Sequence, residues 1–253
     1  MNTKQDYIAV FDSGVGGISV LRHLLRVMPG ERYLYFGDSA NAPYGTKTKE
    51  EVKNLTFSAA RMLMERGIKA LVVACNTATS AAIADLRAAY PELIVIGIEP
   101  ALKLAADKFP GGRLCVMATP MTLREEKFAA LMGRYAQSCT VHKLPAPGLV
   151  ELVESGKADS PEMDALLREL FAPLMGQLDA VVLGCTHYPF AAKAISRVLG
   201  ESVTLLDGGD GTARETKRRL SQAGLLEEGE GSLTMENSKN DPRLIQLSHK
   251  LLT

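Results

Sequence analysis

A chain of 253 residues, 46% hydrophobic and 23% charged, has room for one large domain or two modest ones and the composition of an ordinary soluble protein. Its 29 basic and 29 acidic residues cancel to a formal net charge of zero, which removes the electrostatic ground for expecting nucleic acid or an anionic membrane as a main partner. No apolar run approaches the roughly 18 residues of a membrane span, and Met1 to Asp6 carries no apolar leader segment, so a cytoplasmic protein is expected.

In chain order, Tyr7 to Phe11 is an apolar run that ends in Asp12-Ser13-Gly14-Val15-Gly16-Gly17, and Ile18 to Met28 then has helical spacing. Tyr33 to Phe36 is a second expected strand, ending at Asp38, and 40–45 has loop composition. Thr48 with Glu51 is a capping-box signature for a helix to about Arg66. Ala70 to Ala74 is a third strand, followed by Cys75 and a helix, and Leu93 to Ile98 is a fourth. The order then begins again. Strands are expected at Arg113 to Met117, Cys139 to Lys143, Ala180 to Leu183 and Val203 to Leu206, with helices starting at Thr119-Pro120, near Pro147 and at Ser160-Pro161. Asp210 to Ala223 is read as a helix, 227–231 as a loop and Asp241 to Leu251 as a closing helix.

The two cysteines at 75 and 185 and the two fourth strands, near 93 and 203, are separated by the same interval. This points to an internal duplication. The expected fold is α/β, with two pseudo-symmetric halves, each a small, mainly parallel sheet flanked by helices, and a site in the cleft between them. The expected division is 1–98 with 208–253 as the first domain and 99–207 as the second.

Val72-Val73-Ala74-Cys75-Asn76-Thr77 and Val182-Leu183-Gly184-Cys185-Thr186-His187 look like copies of one another. Each is an apolar run that stops at a cysteine before a helical pattern, which places the thiol at the carboxyl end of a parallel strand and near a helix N-terminus. Such a terminus favours thiolate. A single buried cysteine is most simply a small hydrophobe. Two at matching turns suit a reaction that removes a proton from one face of a carbon and delivers one to the other, since one fixed base serves both faces poorly. Asp12 and His187 are polar neighbours able to accept or relay that proton. Cys115 and Cys139 lie inside apolar runs and are read as core. All four cysteines are expected as free thiols, and no Cys-x-x-Cys or His pair suggests a metal.

An alternative reading gives the glycine turn to a dinucleotide. Gly14 and Gly16 fit, Ser19 stands where the third glycine belongs, and Asp38 sits where a ribose-binding acid is placed. That reading leaves the paired cysteines unexplained. Asn76-Thr77 and Thr186 are residues that cap helices, a role compatible with ligand binding at the same backbone N–H groups. Glu151 and Glu154 fall on an amphipathic stretch, and a solvated face is the default for at least one of them.

Asp12 to Gly17, Pro43-Tyr44-Gly45, Ala74 to Ala78 and Gly184-Cys185-Thr186-His187-Tyr188-Pro189 together resemble the glutamate racemases of the cofactor-independent aspartate/glutamate racemase superfamily, over nearly the whole chain. The resemblance implies interconversion of L- and D-glutamate, with no cofactor and no metal, in support of peptidoglycan synthesis. It implies Cys75 as the acid/base residue for the D-isomer and Cys185 for the L-isomer. Asp12 and His187 would assist them, with Glu154 a further acid nearby. Ser13, Tyr44, Gly45, Asn76, Thr77, Thr119, Thr122 and Thr186 would hold the substrate together with Asp12 and His187. The run Ala118-Thr119-Pro120-Met121-Thr122, with Phe128 beyond, departs from the family pattern but keeps both threonines, and Ala146 stands where a cysteine is frequent. A homodimer is expected, and some members also restrain DNA gyrase. No N-terminal extension like that of precursor-activated members is present, so activity without an activator is expected. The alternatives are a racemase or isomerase for another acidic or cyclic substrate, a nucleotide-dependent oxidoreductase, and a binding module that keeps the fold.

Overall fold

A computed structural model describes all residues except 1, 2, 4, 99, 100, 136 and 137, and only the backbone of 126–128 and 131. Part of the stretch 1–6 and the domain boundary expected at 98/99 therefore touch residues outside those described, as does the Phe128 side chain. The first elements are β1 (Tyr7–Asp12), α1 (Ile18–Val27), β2 (Arg32–Gly37), α2 (Lys49–Met64), β3 (Ile68–Val73), α3 (Asn76–Ala89) and β4 (Ile94–Gly97). Next come α4 (Leu102–Lys108), β5 (Arg113–Ala118), α5 (Pro120–Arg124), α6 (Glu126–Tyr135), β6 (Thr140–Pro145), α7 (Leu149–Glu154), α8 (Pro161–Phe171), β7 (Ala180–Gly184), α9 (Ala192–Leu199) and β8 (Thr204–Leu206). The chain closes with α10 (Gly209–Gln222), β9 (Ser232–Asn237) and α11 (Pro242–Leu252). It divides into two compact units, 1–99 with 209–253, and 100–208.

Each unit is built on a parallel sheet. The first has the strand order β4-β3-β1-β2-β9 and the second β6-β5-β7-β8. With β5 to β8 matched to β1 to β4, the two orders are the same, and β9 is an extra strand on the edge of the first sheet. The strands are apolar runs because helices cover both faces. In the second unit, Leu114 and Val116 pack on one side with Leu102 and Ala105 of α4, while Cys115 and Met117 pack on the other with Phe171 of α8 and Ile195 of α9.

Local signals act as their chemistry predicts. Thr48 and Glu51 form the reciprocal capping box at the start of α2, and Thr119 and Ser160 cap α5 and α8 ahead of a proline at the first helical position. Three differences stand out. Helix α8, expected from Ser160-Pro161 to about Met175, stops at Phe171 and gives way to a 3-10 turn at Ala172–Leu174, because Pro173 cannot donate the bonds that continue an α-helix. Helix α4 and strand β9 have no counterpart among the expected elements. β9 reads Ser-Leu-Thr-Met-Glu-Asn, half exposed at a sheet edge, and so lacks the apolar run that marks its neighbours.

Candidate active site

Sheet order puts the chemistry of the first unit at one end of its strands. Asp12 ends β1, and Cys75 follows β3, the strand paired with β1, by two residues. Asp12 is fully buried, and its Oδ1 accepts a hydrogen bond from Gly14 N at 2.9 Å, which turns the chain back over the carboxylate. Gly17 makes this possible: a Cβ there would stand 2.6 Å from Asp12 Cβ. Cys75 is the N-cap of the 14-residue α3, and its Sγ accepts from Ala78 N at 3.5 Å. A helix N–H aimed at sulfur favours the thiolate. The Cys75 thiol also lies 3.6 Å from Ser13 Oγ, its hydrogen-bond acceptor. Buried Asn76 Nδ2 finds no hydrogen-bond partner among the described residues. A buried amide donor left so is costly in the free protein and favourable toward an incoming acceptor.

Tyr44 is buried and opens a short 3-10 turn, Tyr44–Thr46, which also carries Gly45. Its phenol donates to Asp38 Oδ2 at 2.7 Å. Burial first, then the bond to Asp38 and the negative charge of Asp38, Cys75 and Asp12, raise the Tyr44 hydroxyl well above its ordinary range, so it remains a donor. Asn41 Nδ2 reaches both Asp38 oxygens at 3.0 Å. With its carboxylate engaged by Tyr44 and Asn41, Asp38 is committed to the loop that follows it, which removes the ribose-binding acid from the dinucleotide reading.

In the second unit Cys185 occupies the matching place, one residue beyond β7. Strand register pairs Ala118 with Gly184 there, as Asp12 lies beside Ala74 in the first unit. The two strand ends nevertheless differ. Where the first has Asp12 the second has Ala118, and where the first has Thr77 the second has His187. His187 Nδ1 is 3.7 Å from Cys185 Sγ, and its Nε2 is 3.0 Å from Glu154 Oε1 at the end of α7. A carboxylate on Nε2 fixes that nitrogen as N–H and leaves Nδ1 to exchange a proton with the sulfur. Glu154 is thus turned inward to the histidine. His187 precedes a 3-10 turn, Tyr188–Ala191, and offers it no side-chain cap, so Cys185 is separated from α9 by that turn. Tyr188 is fully buried, and burial, followed by the charges of Cys185 and Glu151, raises its phenol well above the ordinary range.

Thr186 is buried beside Cys185. Thr119 follows β5; its hydroxyl donates to Thr122 Oγ1 at 3.0 Å and accepts from Thr122 N at 3.3 Å. Thr77 is buried in the first turn of α3. The other cysteines lie in packing positions. Burial pushes the Cys115 thiol up to about 12, and the Cys139 thiol donates to Phe109 O at 3.3 Å. Among the described residues no three His, Cys, Asp or Glu side chains gather as metal ligands, and no helix is long and apolar enough to cross a membrane.

The two engagements that residue patterns did not reveal, Asp38 with Tyr44 and Glu154 with His187, both join a strand-end residue to a neighbouring loop or helix. The short spacing of Asp38 and Tyr44 was a usable signal; the 33 residues between Glu154 and His187 were not.

Known proteins share this sequence and fold. The family described as Asp/Glu/Hydantoin racemase matches residues 13–216. A glutamate racemase of Clostridium kluyveri is 51% identical over 256 aligned residues, covering 100% of this chain and 99% of that protein. The crystal structure of the Thermus thermophilus glutamate racemase with β-chloro-D-alanine is 36% identical, with a TM-score of 0.85 over 99% of this chain and 94% of that one. The Escherichia coli glutamate racemase, solved with L-glutamate and the activator UDP-MurNAc-Ala, is 29% identical with a TM-score of 0.86, over 98% of this chain and 95% of that one. Sequence likeness over the full length and a shared fold lead to one conclusion: the chain belongs to the Asp/Glu/Hydantoin racemase family.

Proposed function

We propose that this protein interconverts L- and D-glutamate by a two-base reaction, without cofactor or metal, and so supplies D-glutamate for peptidoglycan synthesis. The observation that carries the reading is the pair of thiols at matching strand ends, each with a polar side chain beside it, Ser13 at Cys75 and His187 at Cys185. Glutamate as substrate is favoured by full-length relatives that bear that activity and by the L-glutamate held in the Escherichia coli structure.

In this reading Cys75 takes the α-proton of D-glutamate and Cys185 that of L-glutamate, and in each direction the other thiol delivers a proton to the opposite face. Asp12 serves Cys75, while His187, oriented by Glu154, serves Cys185. Ser13, Tyr44, Gly45, Asn76, Thr77, Thr119, Thr122 and Thr186 bind the carboxylates and ammonium. The unpartnered Asn76 amide supports a carboxylate at that place, because an acceptor would relieve its burial cost. The protein works in the cytoplasm as a homodimer. Light scattering on purified protein is expected to give twice the 27.3 kDa chain mass.

The test is optical rotation of L-glutamate and of D-glutamate, each incubated with purified protein and no added cofactor. Both signals should decay to zero. A rotation that persists in both samples contradicts the proposal. Glu154→Gln removes the charge that orients and stabilises His187. It is expected to lower kcat by about tenfold with KM little changed. A rise in KM at constant kcat would instead assign Glu154 to binding.

A further inference from the structure

The edge strand β9 ends beside the turn that leaves β2. There the buried Asn237 amide donates through Nδ2 to the buried Ser39 hydroxyl at 2.7 Å, while Asn237 Oδ1 accepts from Lys239 N at 2.9 Å. One residue on, Ser238 Oγ accepts from Ala40 N at 2.8 Å. Asp38, the neighbour of Ser39, is anchored on its other side by its own N–H to Asp12 O at 2.9 Å. The Asp38 carboxylate then holds the Tyr44 phenol. The 38–41 turn is thus fixed from two directions, by the end of β1 and by the C-terminal strand. A buried side-chain amide with both its carbonyl and its N–H committed is more than is needed to cover a sheet edge, which backbone pairing alone achieves.

We propose that Asn237 is a positioning residue for the reaction, holding the Ser39 turn so that Asp38 fixes Tyr44 where the substrate binds. This rests on the glutamate reading above and deepens it by bringing the C-terminal strand into substrate binding. Asn237 touches no reacting atom; it acts through Ser39, Asp38 and Tyr44 in turn.

The experiment measures kcat and KM for glutamate in Asn237→Ala, Tyr44→Phe and the double variant, with thermal midpoints alongside. Asn237→Ala should raise KM about tenfold with a smaller change in kcat, and should have little further effect in the Tyr44→Phe background, because linked residues are not additive. Should Asn237→Ala fail to fold, Ser39→Ala, which removes only the hydroxyl that Asn237 holds, carries the same expectation. The inference is overturned if the folded variant keeps the wild-type KM, or if its effect multiplies in full with that of Tyr44→Phe. Wild-type turnover in the same assay reports separately on the glutamate reading: an inactive wild type removes that reading, whereas an active wild type with additive variants removes only the role of Asn237.

Discussion

Replacing either Cys75 or Cys185 with alanine is expected to abolish racemisation of glutamate in both directions, by at least about a thousandfold in kcat/KM. The loss must be equal in the two directions. Substrate and product are mirror images, so the equilibrium constant is one and the two kcat/KM values are tied to each other. What differs is the surviving half-reaction. With Cys75→Ala, the proposed reaction leaves only the thiol assigned to L-glutamate, so residual α-proton exchange is expected to be confined to L-glutamate. With Cys185→Ala it is confined to D-glutamate. Cys115→Ala provides the control. This cysteine is packed inside β5, and its thiol, pushed up to about 12 by burial, stays protonated at neutral pH. Its variant should turn over as the wild type does. NMR of the α-proton together with optical rotation reads all three variants, and full activity in either single active-site variant would refute a two-thiol reaction.

The second large effect concerns stability. Lys69 lies in β3 with its side chain fully buried, and its Nζ is 2.6 Å from Glu31 Oε2, itself fully buried. The same ammonium donates to Leu225 O at 3.0 Å, and Glu31 Oε1 accepts from Glu227 N at 2.8 Å. The pair therefore ties the segment between α10 and β9 to the starts of β2 and β3. Lys69→Met leaves the Glu31 carboxylate buried with its opposite charge gone, which is expected to cost about 3–5 kcal/mol of unfolding free energy. Lys69→Met with Glu31→Leu removes both charges, and the double variant should be more stable than Lys69→Met alone. Urea unfolding followed by circular dichroism measures the set. A loss below about 1 kcal/mol in Lys69→Met would show that the pair does not hold the segment.

Lys69 also shows where residue patterns stop being informative. The apolar run begins at Ala70, and a lysine looks like the end of a strand, yet β3 begins at Ile68. The position of Glu31, 38 residues earlier in the chain, helps make a buried lysine tolerable, and that pairing is a property of the packed sheet. The apolar strands, the Thr48 and Thr119 caps and the matching cysteine turns were legible because each is encoded by adjacent residues. The repeated interval pointed to a duplication, and the two sheets share one strand order. β9 was not legible, since a half-exposed edge strand needs few apolar residues. Glu154 was legible only through the family resemblance, because on α7 alone it is indistinguishable from a solvated acid. The two strand ends show one plan carried out twice with different chemistry: Asp12 ends the strand adjacent to the one that leads to Cys75, and His187 lies two residues beyond Cys185 with its Nδ1 3.7 Å from the sulfur.

The most direct test of the two-thiol account is a single-turnover measurement in heavy water, starting from L-glutamate with no cofactor added. Both isomers are isolated early and the α-position of each is analysed by mass spectrometry. A two-base reaction delivers solvent-derived deuterium to the opposite face, so newly formed D-glutamate should carry deuterium while recovered L-glutamate remains largely protiated. D-glutamate that retains the original α-proton would mean that one group both removes and returns it, and would contradict the account.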